Sequence, residues 1–333
     1  MTANSAFKRR VRARAARTGE SYTAALRHLR SVEGALVTRP TDRPVRLRIA
    51  VAQTTHRDDP ADAAGVAANG AEVRALMERA RGEGADLIHL PEATLCFPSK
   101  RRLSSTEPEL GEADWDRFAW DALTAELREV AATAARLGLW TVVGAQHRLS
   151  GPTRPHTSLY VIGPDGSVVT RYDERVLSHT KETLMYTPGH RPVVVDVGGV
   201  RLGLASGLEV HFPHLFAGYA EQDVHGVLFS TAGPGEPDQA ATFAREARAL
   251  ASQYSLWMGY AAPSSNAPWA PSGLIDPHGR WVARCAAQVE PDVAVGDLVH
   301  DPADPGRRWR RSLRGRTGPT PVEDPRSVQH TTF

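Results

Sequence analysis

The feature that most constrains this chain is a repeated change of hydrophobic period. Val45, Leu47, Ile49 and Val51 alternate with Arg46 and Arg48 in a stretch that ends at Gln53, the period-two pattern of a strand. Val66, Val73, Leu76, Met77 and Ala80 then share one face at helical spacing, and Gly82 and Gly84 close that helix ahead of the apolar run Asp86 to Leu90. The alternation continues with a helix carrying Trp115, Phe118, Ala122, Val130, Ala134 and Leu137 and a strand from Trp140 to Ala145. Further strands read at 158–162, 193–197, 201–205, 224–230 and 256–261, the last preceded by a helix through Phe243, Ala247, Leu250 and Tyr254. Gly163-Pro164-Asp165-Gly166 and Asp276-Pro277-His278-Gly279 read as turns between strand pairs, and Cys285 falls in a further strand from 280 to 286. Crossover units mixed with hairpins imply a layered α/β domain over residues 45–300.

Two arms flank that domain. Residues 1–46 carry eleven Lys or Arg against three acids, and residues 301–333 carry seven against four, so the arms hold net charges of +8 and +3. The whole chain is at +2, which leaves the body at −9. The N-terminal arm, 1–44, reads as two short basic helices: Phe7, Val11 and Ala15 recur every four residues, Gly19 interrupts, and Tyr22, Ala25 and Leu29 resume the spacing. The C-terminal arm, 301–333, sets prolines 302, 305, 319, 321 and 325 among its arginines and is expected to be extended or disordered, with Trp309 as its local anchor. Basic arms on an acidic body are candidates for contact with an acidic partner or nucleic acid, against the plainer reading that they only aid solubility.

Several classes are excluded. No stretch approaches the roughly 18 consecutive apolar residues of a membrane-spanning helix, and charges from Lys8 onward fall where a signal peptide needs an apolar core, so a cytoplasmic protein without membrane contact is expected. Two cysteines, Cys96 and Cys285, support neither a disulfide framework nor a multi-cysteine zinc site. Of 40 basic side chains only Lys8, Lys100 and Lys181 are lysines, so a catalytic lysine would be easy to find.

The order of motifs from Val45 to Val299 resembles the nitrilase superfamily, the carbon-nitrogen hydrolases that cleave nitriles, amides and carbamoyl groups. The resemblance rests on the opening strand to Ala52-Gln53, on Asp86-Leu87-Ile88-His89-Leu90-Pro91-Glu92, and on Arg171-Tyr172-Asp173-Glu174-Arg175-Val176-Leu177. It continues with Glu182 before Pro188-Gly189, with the run Gly203 to Pro213, and with Ser272-Gly273-Leu274-Ile275-Asp276-Pro277. It implies a four-layered α-β-β-α sandwich that pairs into homodimers. It also implies chemistry by a cysteine nucleophile, a glutamate base, a lysine that stabilises the tetrahedral intermediate and a second, orienting glutamate.

On those motifs Glu92 matches the general base and Glu182 the second glutamate. The lysine position, two after Tyr172 and three before Leu177, holds Glu174, and the nucleophile position, two before Glu209 and five before Phe212, holds Gly207. Glycine cannot form an acyl intermediate. In another nucleophile–base system, losing the nucleophile costs about a millionfold in turnover, roughly 8 kcal/mol. Two carboxylates at about 4 Å in an effective dielectric near 20 repel by about 4 kcal/mol, or about three pKa units. Glu92 and Glu174 are therefore not both charged in a dry pocket without a cation, and convergence of Glu92, Glu174 and Glu182 calls for proton uptake or a small cationic ligand. The plainer alternative turns Glu174 outward to pair with Arg171 or Arg175.

No substitute nucleophile stands out. Ser206 neighbours the lost cysteine but points to the opposite strand face. Cys96 and Cys285 read as small core residues. Lys181 and Arg175 flank the motifs and could return positive charge, although long cations belong by default at solvated positions. His211 and His214 read as local packing or rim residues. A hard-cation site on the three glutamates is conceivable, yet no spacing demands it, and no cofactor motif is present. The expectation is a nitrilase-fold protein that has lost cysteine-dependent hydrolysis and binds a ligand or partner as a pseudoenzyme. The alternatives are an active hydrolase or acid–base enzyme on non-standard residues, and a nucleic-acid-associated protein acting through its arms.

Overall fold

The computed structural model describes residues 44–106, 109–234 and 236–313, with scattered positions between 8 and 22. Those scattered positions, Val11, Ala15 and Tyr22 among them, are helical, while Ala25, Leu29 and prolines 319, 321 and 325 lie outside the described residues.

Two six-stranded sheets face each other. The first has the order β12 (Asp292–His300), β1 (Val45–Gln53), β2 (Leu87–His89), β3 (Trp140–His147), β4 (His156–Ile162), β5 (Val168–Asp173). The second runs β11 (Trp281–Arg284), β10 (Gly273–Ile275), β9 (Trp257–Ala261), β8 (Gly226–Ser230), β7 (Val200–Ser206), β6 (Val194–Val197). Each sheet has three parallel strands, β1-β2-β3 and β7-β8-β9, flanked by one antiparallel strand on one side, β12 or β6, and by two on the other, β4-β5 or β10-β11. The parallel pairs require crossovers, and helices α1 (Ala63–Gly82), α2 (Trp120–Leu137), α3 (Pro213–Glu221) and α4 (Ala240–Tyr254) supply them.

Strand alternation builds the layers. Ile49, Val51, Leu87, Val142 and Leu159 of the first sheet meet Leu202, Leu204, Leu228 and Leu274 of the second in the central core. Their chain neighbours point the other way. Ala50, Ala52, Ile88 and Val143 receive Val73, Met77 and Val130 of α1 and α2, while Val227, Phe229 and Met258 receive Phe216, Ala247 and Leu250 of α3 and α4. The result is the expected α-β-β-α sandwich.

Two expectations on helices need correction. Trp115 does not begin the second long helix. It sits in a 3-10 turn, Trp115–Arg117, its indole donating to Met185 O at 2.9 Å and packed against Phe118, Trp120 and Tyr186, and α2 starts five residues later. The C-terminal arm is not extended at its start, because Pro305–Leu313 forms helix α5. Asp304 caps that helix by accepting from Arg307 N at 2.7 Å. Arginines then hold it to the body. Arg307 donates to Val224 O at 2.8 Å, Arg310 to Ser252 O at 3.1 Å and to Ser255 Oγ, and Arg311 pairs with Asp223 at 2.8 Å. The carbonyls at Ser252 and Val224 belong to the end of α4 and the segment after α3, where free C=O groups favour cations. Trp309 is no anchor; it is 62% exposed.

Candidate functional site

Segments that follow the C-terminal ends of β2, β5, β7 and β8 converge on one buried cluster. After β2 the chain turns sharply through Pro91-Glu92-Ala93, with Ala93 at φ 51°. That turn lies directly over Gly144 of β3, where a Cβ would stand 2.8 Å from the Glu92 carbonyl carbon and closer still to Ala93 N and Pro91 O. Only glycine lets the strand and turn approach so closely, and the approach aims Glu92 inward. The β2 and β8 ends are also tied by His89, whose Nε2 lies 2.8 Å from Ser230 Oγ, which in turn donates to Leu90 O at 2.9 Å. Ser230 spends its hydrogen on Leu90, so His89 is the donor to Ser230, and burial pushes its pKa down to about 3, which keeps it neutral.

Glu92 is buried. Its Oε2 accepts from Ala232 N at 3.0 Å, beyond β8, and its Oε1 from Lys181 Nζ. Lys181, 8% exposed, also donates to Glu174 Oε2 at 2.8 Å. Glu174 is 1% exposed and lies just past β5, where Gly189 N donates to its carbonyl at 2.7 Å and clamps the Pro188-Gly189 turn over it. One lysine thus bridges two carboxyl groups out of water.

Gly207 closes the cluster. It follows β7 at φ +60°, in the left-handed region, and a Cβ there would stand 2.7 Å from the Glu174 carboxyl carbon and closer still to Oε1. The Glu174 carboxyl group therefore occupies the space that a side chain at 207 would need. The remaining cavity beside Glu92, lined by His56, Arg57, Thr94, Phe97 and Pro263 among others, is about 10 Å³, no more than the room of one water.

The electrostatics follow from burial and charge order. Burial, with the Glu92 charge adding, pushes the Glu174 pKa up to about 8 against the opposing pull of Lys181. Lys181 moves above the ordinary lysine range, because the two carboxylates outweigh its own burial. At neutral pH Glu174 is largely protonated beside the Lys181 ammonium. Among the described residues Glu174 Oε1 has no hydrogen-bond partner, a vacancy far less costly for a neutral acid than for a carboxylate. Lys100 stands near enough to feel the cluster; burial first, then Lys181, lowers its pKa.

The sequence-derived positions sort clearly. Glu92, Glu174 and Gly207 come together. Glu182 does not: it is exposed on the π-helical turn Lys181–Met185, whose buried members are Lys181 and Met185. Successive residues of a helical turn point about 100° apart, so seating Lys181 inward sends Glu182 out. The assignment of Lys181 and Arg175 to solvated positions is likewise corrected. Arg175 packs over the rings of Tyr172 and Tyr219 at 5.7 and 5.8 Å and lies 3.8 Å from Glu209. Glu174 does not turn outward either, since Arg171 pairs with Asp173 at 2.7 Å.

Sequence reasoning treated Glu209 and Tyr172 only as landmarks, yet they frame the Gly207 turn. Buried Glu209 accepts from Ser206 N at 2.9 Å, from Arg175 N at 2.8 Å and from the Tyr172 hydroxyl. Its place two residues after a glycine that ends a strand, with Ser206 three before it in capping-box spacing, was the available signal. Cys96 donates to Asp59 O at 3.7 Å and Cys285 to Val51 O at 3.5 Å, and burial pushes both thiols up to about 12, so neither is a thiolate nucleophile at neutral pH. His211 contacts Glu246 and the edge of Phe243, and His214 lies against Phe212, as local packing.

The comparisons with known proteins agree with this architecture. The carbon-nitrogen hydrolase family matches residues 48–305. Two Mycobacterium tuberculosis proteins, from strains CDC 1551 / Oshkosh and ATCC 25618 / H37Rv and each described as a hydrolase, are 30% identical over 291 residues, covering 81% of this chain and 96% of their own. Among solved structures, an amidase from Nesterenkonia sp. superposes with a TM-score of 0.61 at 22% identity, covering 82% of this chain and 98% of that one. A point variant of Nesterenkonia AN1 amidase from the nitrilase superfamily gives 0.62 at 22%, covering 83% and 97%.

Proposed function

This chain belongs to the carbon-nitrogen hydrolase family, and within it we propose a member that has given up cysteine-dependent cleavage of amides and nitriles and works by binding a partner. The observation that carries the reading is Gly207: no nucleophilic atom stands there, and the space beside it is filled by the Glu174 carboxyl group. A tetrahedral intermediate needs a nucleophile and donors aimed at its oxyanion. Here Lys181, the cation at hand, is spent on Glu92 and Glu174, and about 10 Å³ of cavity admits no acyl group. The positive group that two carboxyls require comes from the chain itself, which removes the motive for a cationic small ligand at this cluster. We place the protein in the cytoplasm as a homodimer, a setting that suits its two free cysteines.

The test is incubation with a panel of amides, nitriles and carbamoyl compounds, followed by product assay and intact mass. The expected result is no turnover above background and no covalent adduct. Turnover abolished by Glu92→Gln, Ser206→Ala or Cys96→Ser would overturn the proposal and name the replacement residue. It would establish the second reading, a working hydrolase on non-standard residues, which the descriptions of the mycobacterial relatives as hydrolases and of the structural neighbours as amidases favour.

A further inference from the structure

The two basic arms leave the body at a single corner. Val45, the first residue of β1, pairs with His300, the last of β12, so the N-terminal arm enters where the C-terminal arm departs. Between them lies a cleft of about 670 Å³ whose walls include Pro44, His300, Arg307, Arg308, Arg311 and Ser312. Helix α5 and the segment 300–303, which includes Asp301, supply equal parts of that wall. The helix sequence, Arg307-Arg308-Trp309-Arg310-Arg311, sets two arginines on either side of one tryptophan along the chain. Arg307, Arg310 and Arg311 fix the helix to the body, while Arg308 and Trp309 are exposed. The nearby acids are engaged in local caps, Asp304 on Arg307 N and Asp301 on Ala303 N at 2.8 Å.

We propose that this corner, the cleft between Pro44 and α5 with the exposed Arg308 and Trp309, is a binding site for single-stranded nucleic acid. The charge arrangement supplies the long-range term. By sequence the arms carry a net charge of +11 against −9 on the body, and both join the body at this corner, which favours approach of a polyanion there over the rest of the surface. The indole selects among polyanions. A base stacks on an exposed tryptophan whatever its sequence, while Arg308 beside it and the basic residues of the arms take the phosphates. An anionic membrane is the poorer match, because α5 carries no large apolar residue besides Trp309 and Leu313, too little to embed a helix face. An acidic polypeptide would use the arginines but does not present an aromatic ring at every unit beside its charge, as a nucleic acid does.

The full-length chain is titrated into a fluorescein-labelled oligothymidylate of about 20 nucleotides, with anisotropy and tryptophan emission read together. Binding with quenched emission is expected, weakening about 50-fold between 50 and 200 mM salt for about four neutralised phosphates. The Arg308→Ala, Trp309→Ala double variant, whose altered side chains are both exposed, keeps its circular dichroism and binds about tenfold or more weakly. No binding at 50 mM salt, or a double variant that binds as tightly as the parent, overturns the site. Equal retention by polyglutamate or by phosphatidylserine vesicles overturns the choice of partner.

Discussion

Replacing Glu174 by glutamine tests the charge state of the buried cluster more directly than any activity assay. The acid's folded pKa of about 8 lies far above the ordinary value of 4.5, chiefly through burial. A raised folded pKa means that the native state holds a proton which the unfolded chain has already released. The resulting stabilisation is complete below about pH 4.5 and is lost as pH rises through about 8. Each pH unit inside that window costs about 1.4 kcal/mol per proton, so between about pH 6 and pH 9 the parent loses about 3 kcal/mol through this group. Glutamine keeps an oxygen for Lys181 and has nothing to titrate. Other groups cancel when the two proteins are compared. Urea unfolding followed by tryptophan emission should therefore show the two close together near pH 6 and Glu174→Gln more stable by about 3 kcal/mol near pH 9. Curves that run parallel over this interval would refute the neutral acid. Parallel curves with the variant lower by a constant amount would mean that Glu174 is already a carboxylate whose charge Lys181 needs.

The same cluster yields further expectations. Lys181→Met leaves Glu92 and Glu174 buried without their shared cation and should cost about 3–5 kcal/mol in urea unfolding at pH 7; a loss under 1 kcal/mol would place the cluster in water. Gly207→Cys should destabilise by about 2–4 kcal/mol, from the left-handed φ and from overlap with Glu174, and should gain no amidase activity; the added substitution Glu174→Ala should recover part of the loss, and no recovery would remove the overlap from the account. Cys96 and Cys285, with thiols held near pKa 12, should resist iodoacetamide in the native protein at pH 8 and react on unfolding, and fast native labelling of Cys96 would return it as a candidate nucleophile. Sedimentation of the full chain should report a dimer, and a monomer at micromolar concentration would remove the homodimer from the proposed function.

The sandwich was legible because strands buried on one or both faces announce themselves by period. Ile49 and Val51 face the other sheet while Ala50 and Ala52 face α1, and no other pairing of β1 buries both sets. β12 escaped that reading because Gly296 and Asp297 interrupt its alternation. Asp297 accepts from Arg46 at 2.6 Å, a pair that joins residues 251 positions apart and leaves no local trace. α5 was hidden by Pro305 and by its arginines, which are held by the carbonyls of the segments they touch rather than by an apolar face.

At the site, the residues named at strand ends lie together in the structure, whereas on the helical turn the buried residue is Lys181 and not Glu182. Glu92, Glu174 and Gly207 lie at or next to strand ends, where alternation and chain direction fix which way a residue points. Lys181 lies on a π-helical turn, and there a frame one residue out exchanges a buried acid for a buried base. That exchange decides the chemistry. Three convergent carboxyls would have needed a cation from solution. Two carboxyls with a lysine need none, and one of the two can stay protonated. The carboxyl group beside Gly207 thus does two things at once: it fills the volume of the absent side chain, and it accepts from Lys181, so the buried lysine keeps both of its partners. On the proposed function, a lysine that keeps both partners leaves no open reaction centre while the carbon-nitrogen hydrolase architecture is retained.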